Sequence, residues 1–188
     1  MATIVDRATW GAAPPRRDYT GRGNSPRCVV HHTAGDWVRP EKGRPGAKWW
    51  ALLATGKASI QVRRALRAWE KDRDNVIARE CAAMRAMQAA HFARGYLDIG
   101  YHAVTFPSGR IYLGRPTWAV GAHTMGANSE LGFSFAGNFE HDRPTPAALA
   151  AFTEWQEKHG VLSVRGHYRV PGNATACPGR YLKMALGV

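Results

Sequence analysis

Gly166-His167-Tyr168-Arg169-Val170-Pro171-Gly172-Asn173-Ala174-Thr175-Ala176-Cys177-Pro178-Gly179 sets a histidine and a cysteine ten positions apart, across a loop of Pro, Gly and Asn that Pro-Gly closes. A loop of this length can fold back so that an imidazole nitrogen and a thiolate face one point. An open, catalytic zinc site needs at least one more protein ligand. Val29-Val30-His31-His32-Thr33-Ala34-Gly35 offers it: the β-branched run reads as a buried strand that delivers a histidine at its end. If His31, His167 and Cys177 converge, the fourth zinc position stays free for water. The plain alternative is that such side chains are scattered, in a chain with 8 His and 3 Cys.

Working outward, the chain alternates strand-like and helix-like stretches. The Gly/Pro-rich opening, Ala8 to Arg17, reads as an extended arm whose Trp10 packs on the body. Cys28 to His32 is the first convincing strand. Asp36 to Gly56, with Pro40, Gly43, Pro45, Gly46 and Trp49-Trp50, reads as irregular. Lys57 to Asp72 looks helical, with Ile60, Leu66 and Trp69 near helical spacing and arginines on the other faces. Asp74-Asn75 offers an N-cap for a helix from Val76 to Arg94, closed by Gly95, whose Ala and Met positions suit packing on a sheet. His91, near its end, reads as structural. Gly100 to Phe106 and Arg110 to Gly114 form a hairpin about the turn Pro107-Ser108-Gly109. Leu131 to Gly137 alternates large and small residues, as a central strand does. Thr145-Pro146 starts a helix that ends at His159-Gly160. Val161 to Arg165 is a short strand leading into His167, and a terminal helix follows Pro178. Strands interleaved with helices predict an α/β fold with a mixed sheet in a single domain.

Composition adds bounds. The 188 residues suit one domain with a real core. An odd number of cysteines argues against a disulfide framework, leaving Cys28 and Cys81 as small buried apolar residues. The net charge of +12 implies attraction to a polyanion, whether nucleic acid, an acidic membrane face or an anionic bacterial wall. No stacking platform or recognition helix supports specific nucleic-acid binding. Met1 to Arg7 lacks a secretory apolar run, and no stretch reaches transmembrane length. The expectation is a soluble chain, either cytoplasmic when made or cut from a longer parent.

Several motifs then fall in order: Arg7-Ala-Thr-Trp10-Gly-Ala-Ala-Pro-Pro, Val30-His31-His32-Thr33-Ala34-Gly35, Asp98-Ile99-Gly100-Tyr101-His102, Pro107-Ser108-Gly109-Arg110-Ile111-Tyr112-Leu113-Gly114-Arg115-Pro116, Gly121-Ala122-His123-Thr124, Gly132-Phe133-Ser134-Phe135-Ala136-Gly137-Asn138-Phe139, and Gly166-His167 with Ala176-Cys177-Pro178-Gly179. The set closely resembles the peptidoglycan recognition protein and type-2 N-acetylmuramoyl-L-alanine amidase family, phage lysins included, over nearly the whole chain. The resemblance implies a central mixed sheet flanked by helices, with one zinc ion at the floor of an open groove. It implies residues 1–188 as one amidase domain, with 1–27 as the arm; 36–75 departs from the family pattern as an insertion that follows the first ligand strand and is expected to border the groove. It also implies cleavage of the amide between the lactyl group of N-acetylmuramic acid and L-alanine of the stem peptide. His31, His167 and Cys177 match the zinc ligands, and Tyr101 matches the tyrosine beside the metal. Thr175 stands where the animal branch has threonine and the phage branch often has lysine. Ser134 stands where another bacterial branch carries a catalytic glutamate. His32, Arg115, His123 and Asn128 fall where the family lines its groove. The loop from His167 to Cys177 is longer than the common form, which could shift Thr175.

Two histidines and a thiolate leave zinc with a net positive charge, which favours ionisation of a bound water and polarises a carbonyl. Tyr101 could donate a hydrogen bond to the oxyanion or position the water. Tyr101, Thr175 through water, or His123 could protonate the leaving amine. Absence of His-Glu-x-x-His disfavours a helix-borne zinc protease. Glu140 is a possible alternative base that reads more simply as a loop residue. A Cys177–His thiol dyad is the rival enzymatic reading, and a recognition module that binds peptidoglycan without cutting it is the non-enzymatic one. The expected partners are bacterial peptidoglycan and, through the basic surface, anionic wall polymers; the expected state is a monomer acting on the cell wall, as a phage lysin or an excised secreted domain.

Overall fold

The computed structural model describes residues 1–35 and 47–188, with the side chains of 47, 49–50, 53 and 69–74 left aside. Six strands form one mixed sheet in the order β1-β4-β3-β5-β2-β6. They are β1 Ile4–Val5, β2 Arg27–His32, β3 Ala103–Thr105, β4 Ile111–Leu113, β5 Leu131–Phe135 and β6 Ser163–Gly166. Only the β3–β4 hairpin is antiparallel; the other pairs are parallel. The helices are α1 Ala47–Ala54, α2 Ile60–Asp74, α3 Val76–Ala93, α4 Pro146–Lys158 and α5 Arg180–Leu186.

Alternation along the central strands splits the core into two layers. Cys28, Val30, Leu131, Phe133 and Phe135 point to one face, against Ala148, Ala151, Phe152 and Trp155 of α4 and Leu182 of α5. Val104, Phe106 and Tyr112 point to the other, against Cys81, Ala83, Met84 and Met87 of α3 and the fully buried Trp10. The predicted caps are in place. Asn75 Oδ1 accepts from Ala78 N at 3.2 Å and Thr145 Oγ1 from Ala148 N at 3.1 Å. All three cysteines are free and buried.

Some expectations give way. Within the N-terminal arm, Ile4–Val5 pairs in parallel with β4 as an edge strand. Residues 47–54, part of the stretch from Asp36 to Gly56 that reads as irregular from its Pro, Gly and Trp content, form α1. In α2 Leu66 is buried, but Ile60 is exposed at the first turn among the described residues. Residues 36–46 of the expected insertion, with Pro40, Gly43, Pro45 and Gly46, lie outside the described residues, as do the side chains of Trp49, Trp50 and Trp69.

Candidate metal centre

The sheet register brings the two histidines together. Strands β2 and β6 run parallel with Val30 opposite Gly166, so the next residues, His31 and His167, leave adjacent strands at the same carboxyl edge. Their rings lie 4.7 Å apart. Open parallel sheets gather ligands at that edge. The loop after His167 then turns back, pinned where Tyr168 N donates to Cys177 O at 3.1 Å. Cys177 Sγ comes to 3.7 Å from His31 Nδ1 and accepts from the backbone N–H of His32 at 3.4 Å. The ligand atoms of His31, His167 and Cys177 all lie within 4.8 Å of one another, the one such group among the described residues.

The chemistry of this set fits zinc. Neutral imidazole and thiolate are the forms zinc binds. Burial, reinforced by His123, His167 and His32, holds the pKa of His31 well below the usual histidine range. Burial also pushes the Cys177 thiol up to about 11, against the smaller pull of the His32 N–H and Lys183. At neutral pH that thiol stays protonated on its own, which weakens the thiol-dyad reading.

Tautomers follow from the acceptors around the rings. His123 Nε2 meets the Glu130 carbonyl at 3.2 Å, so it must donate there, and its Nδ1 is left to accept. His31 Nε2 lies 3.0 Å from that Nδ1 and 3.2 Å from Thr124 Oγ1. With its proton on Nε2, His31 turns the Nδ1 lone pair to the sulfur side. On the other ligand, His167 Nε2 meets Asn173 Oδ1 at 3.0 Å. Such outer partners are what orient metal-binding histidines.

Tyr101 stands beside the ligands, its ring 5.3 Å from that of His31. Desolvation of its hydroxyl, followed by the charge of Cys177, pushes its pKa well above the ordinary tyrosine value, while Ser134 pulls it down. Ser134 shares His31's register position on β5, and its buried hydroxyl has no hydrogen bond of good geometry among the described residues. Thr175 is exposed, and its Oγ1 accepts from Cys177 N at 3.1 Å, shaping the turn that presents the sulfur.

The other four expected residues each make hydrogen bonds within the protein. His32 faces the α4 side, where its Nδ1 accepts from Phe139 N at 3.2 Å. Arg115 is 4% exposed, its guanidinium donating to the carbonyls of Ile99 at 2.7 Å and Val120 at 2.8 Å. Asn128 Oδ1 accepts from His123 N and Thr124 N at 2.8 and 2.9 Å, shaping the loop that carries both. The His123 ring lies over two glycines: a Cβ on Gly121 or Gly132 would come within 2.4 or 2.3 Å of it. Glu140 caps α5, its Oε1 accepting from Arg180 N at 3.0 Å, which is the loop role. Thr124 and Asn173 escaped the sequence reading, since a lone threonine and an Asn in a Pro-Gly loop carry no distinguishing pattern.

The fold and site define an α/β protein with a His-His-Cys metal-capable centre at the carboxyl edge of its sheet. The chain belongs to the N-acetylmuramoyl-L-alanine amidase family, whose match covers residues 22–180. Peptidoglycan-recognition protein SC1a/b of Drosophila simulans is 29% identical over 167 residues, covering 82% of this chain and 86% of that protein. The human N-acetylmuramoyl-L-alanine amidase is 39% identical over 108 residues, covering 53% of this chain but only 19% of that protein, so this chain spans about a fifth of its length. Among solved structures, peptidoglycan recognition protein-LE in complex with tracheal cytotoxin superposes with a TM-score of 0.68 at 26% identity, covering 98% of this chain and 93% of that one.

Proposed function

We propose that this chain is a zinc-dependent amidase of bacterial cell walls, cleaving the amide between the lactyl group of N-acetylmuramic acid and L-alanine of the stem peptide. The observation that carries this reading is the convergence of the His31, His167 and Cys177 ligand atoms within 4.8 Å, beside Tyr101. Held by those three residues, zinc supplies a Lewis acid for the scissile carbonyl and a water acidic enough to attack near neutral pH.

The chain's own groups do the rest. Desolvation keeps the Tyr101 phenol protonated, so it acts as a hydrogen-bond donor to the developing oxyanion. Both His123 nitrogens are engaged within the protein, which leaves Tyr101, or Thr175 through water, to deliver a proton to the departing amine. Thr175 Oγ1 accepts from Cys177 N and keeps its own proton for that task. Arg115 and His123, whose polar atoms are satisfied internally, act on substrate through the shape they give the wall, as do His32 and Asn128. The exposed Arg63, Arg64 and Arg67 of α2, with the overall charge of +12, draw the enzyme to anionic wall polymers. No helix among the described residues is long and apolar enough to cross a membrane.

A non-catalytic peptidoglycan-binding module is the second reading, favoured by the recognition proteins among the relatives. Mass spectrometry of purified peptidoglycan after digestion separates the two. The amidase reading expects stem peptides with new L-alanine amino termini, lost on chelation and restored by zinc. Retained zinc and saturable binding with no new amino termini would establish the recognition module instead.

A further inference from the structure

Asn173 lies in the loop between the second histidine ligand and the cysteine, and its side-chain amide has a forced orientation. Its Nδ2 faces backbone carbonyls of Met125 at 2.9 Å, Pro171 at 3.2 Å and Val170 at 3.3 Å. An amide NH2 offers only donors and a carbonyl only accepts, so this cage takes the nitrogen and rejects the oxygen. Oδ1 is therefore the atom that meets His167 Nε2 at 3.0 Å. Because Oδ1 can only accept, His167 Nε2 must carry the proton. In neutral imidazole the lone pair then sits on Nδ1, the nitrogen left for a metal.

The same amide reaches the other ligand's support. Met125 follows directly on His123 and Thr124, the two side chains that touch His31 Nε2. One side chain thus joins the loop behind His31 to the loop that carries His167 and Cys177.

We propose that Asn173 is a positioning residue of the metal centre, locking His167 as the Nε2–H tautomer and tying the 121–128 loop to the Cys177 loop. Its effect on metal affinity rests on the zinc reading of the site; its effect on the tautomer does not. Losing a partner of this kind costs metal affinity roughly 10–100-fold.

The test uses the full chain and two variants, Asn173→Ala and Asn173→Asp. Nitrogen-15 NMR of the metal-free protein reads the His167 tautomer, and competition with a chromophoric chelator reads the zinc Kd. The expected results are an Nε2–H tautomer in the wild type and a mixed population in Asn173→Ala, with Kd weaker by roughly 10–100-fold. Asn173→Asp keeps an acceptor for the Nε2–H but sets an oxygen against the caged carbonyls, so it should retain the Nε2–H tautomer while the loop tie, and with it the zinc Kd, stays weakened. An Nδ1–H tautomer in the wild type overturns the proposal without any variant having to fold. So does an Asn173→Ala protein with unchanged tautomer and Kd, or an Asn173→Asp protein whose His167 tautomer is as mixed as that of Asn173→Ala. A wild type that binds no zinc but shows the Nε2–H tautomer and loses it in Asn173→Ala would sink the metal reading and keep the lock.

Discussion

Two buried polar clusters in this molecule look alike in composition and differ in how they are satisfied. Around Asp98, wholly buried, every bond closes within the protein. Arg7 Nη1 lies 3.0 Å from its carboxylate, Gln88 Nε2 donates at 2.6 Å, Ile99 N at 2.7 Å, and the Tyr19 hydroxyl donates as well. That cluster ties the N-terminal arm to α3 and to the segment entering β3. Around His31 the outer nitrogens are satisfied, but the inner atoms converge with one another: His31 Nδ1 and Cys177 Sγ at 3.7 Å, with His167 close by. A buried charge that is fully paired is a structural fastening, whereas lone pairs collected about one point are suited to a cation. Burial alone does not tell them apart; where the lone pairs aim does.

The contrast can be broken from either side. Cys177→Ser should have the largest functional effect, losing zinc and amide cleavage together by more than the roughly 100-fold upper cost of removing an outer partner. Zinc analysis and amino-terminal release check it, and full zinc with full turnover in that variant would end the account of the site. Asp98→Ala should do the opposite, lowering stability by on the order of 3 kcal/mol through the lost ion pair with Arg7, the lost carboxylate acceptor of Gln88 Nε2 and the unmet Tyr19 hydroxyl. Urea unfolding of the metal-free protein measures that loss, while zinc bound per folded molecule should not change.

Tyr101→Phe should sharpen the comparison, because it removes one hydroxyl beside the ligands without touching a ligand. Metal content should hold, and kcat should fall about 100-fold, as expected for one oxyanion donor. Undiminished turnover would take Tyr101 out of the mechanism. The last expected effect, on pH, touches stability alone. His102 accepts from Gly132 N and donates to Ala119 O, each at 2.8 Å, and burial pushes its pKa down to about 4. The unfolded chain takes up that proton near 6.5, so the folded state is fully favoured above that pH and loses ground as the pH falls towards 4. The loss is on the order of 3 kcal/mol, and metal-free unfolding midpoints that stay flat from pH 7 to 4.5 would contradict it.

Legibility in the sequence tracked the range of the interactions. The β3–β4 hairpin, the Asn75 and Thr145 caps and the strand ending at His32 are local events, written in turn residues, capping side chains and β-branched runs. Helix α1 and edge strand β1 were missed because Trp-Gly-Pro composition and a two-residue strand carry little local signal. Among the site residues, His31, His167 and Cys177 could be named from ligand type and family motif, but the engaged state of Arg115 could not, since a guanidinium reads the same in a groove as against buried carbonyls.

By its own patterning, the sequence determined an alternating α/β chain and the three side chains suited to hold a metal. Only the tertiary structure decided that they meet. The parallel register of Val30 with Gly166 sets His31 beside His167, and the loop pinned at Tyr168 returns Cys177 to them. It also decided which nitrogen of each ring faces inward, through the Glu130 carbonyl acting by way of His123 and through the caged amide of Asn173. The register joins Val30 to Gly166 across more than a hundred positions, a relation that no short stretch of sequence encodes, and the hydrogen bonds that set the tautomers act only once the folded loops have brought their donors and acceptors together.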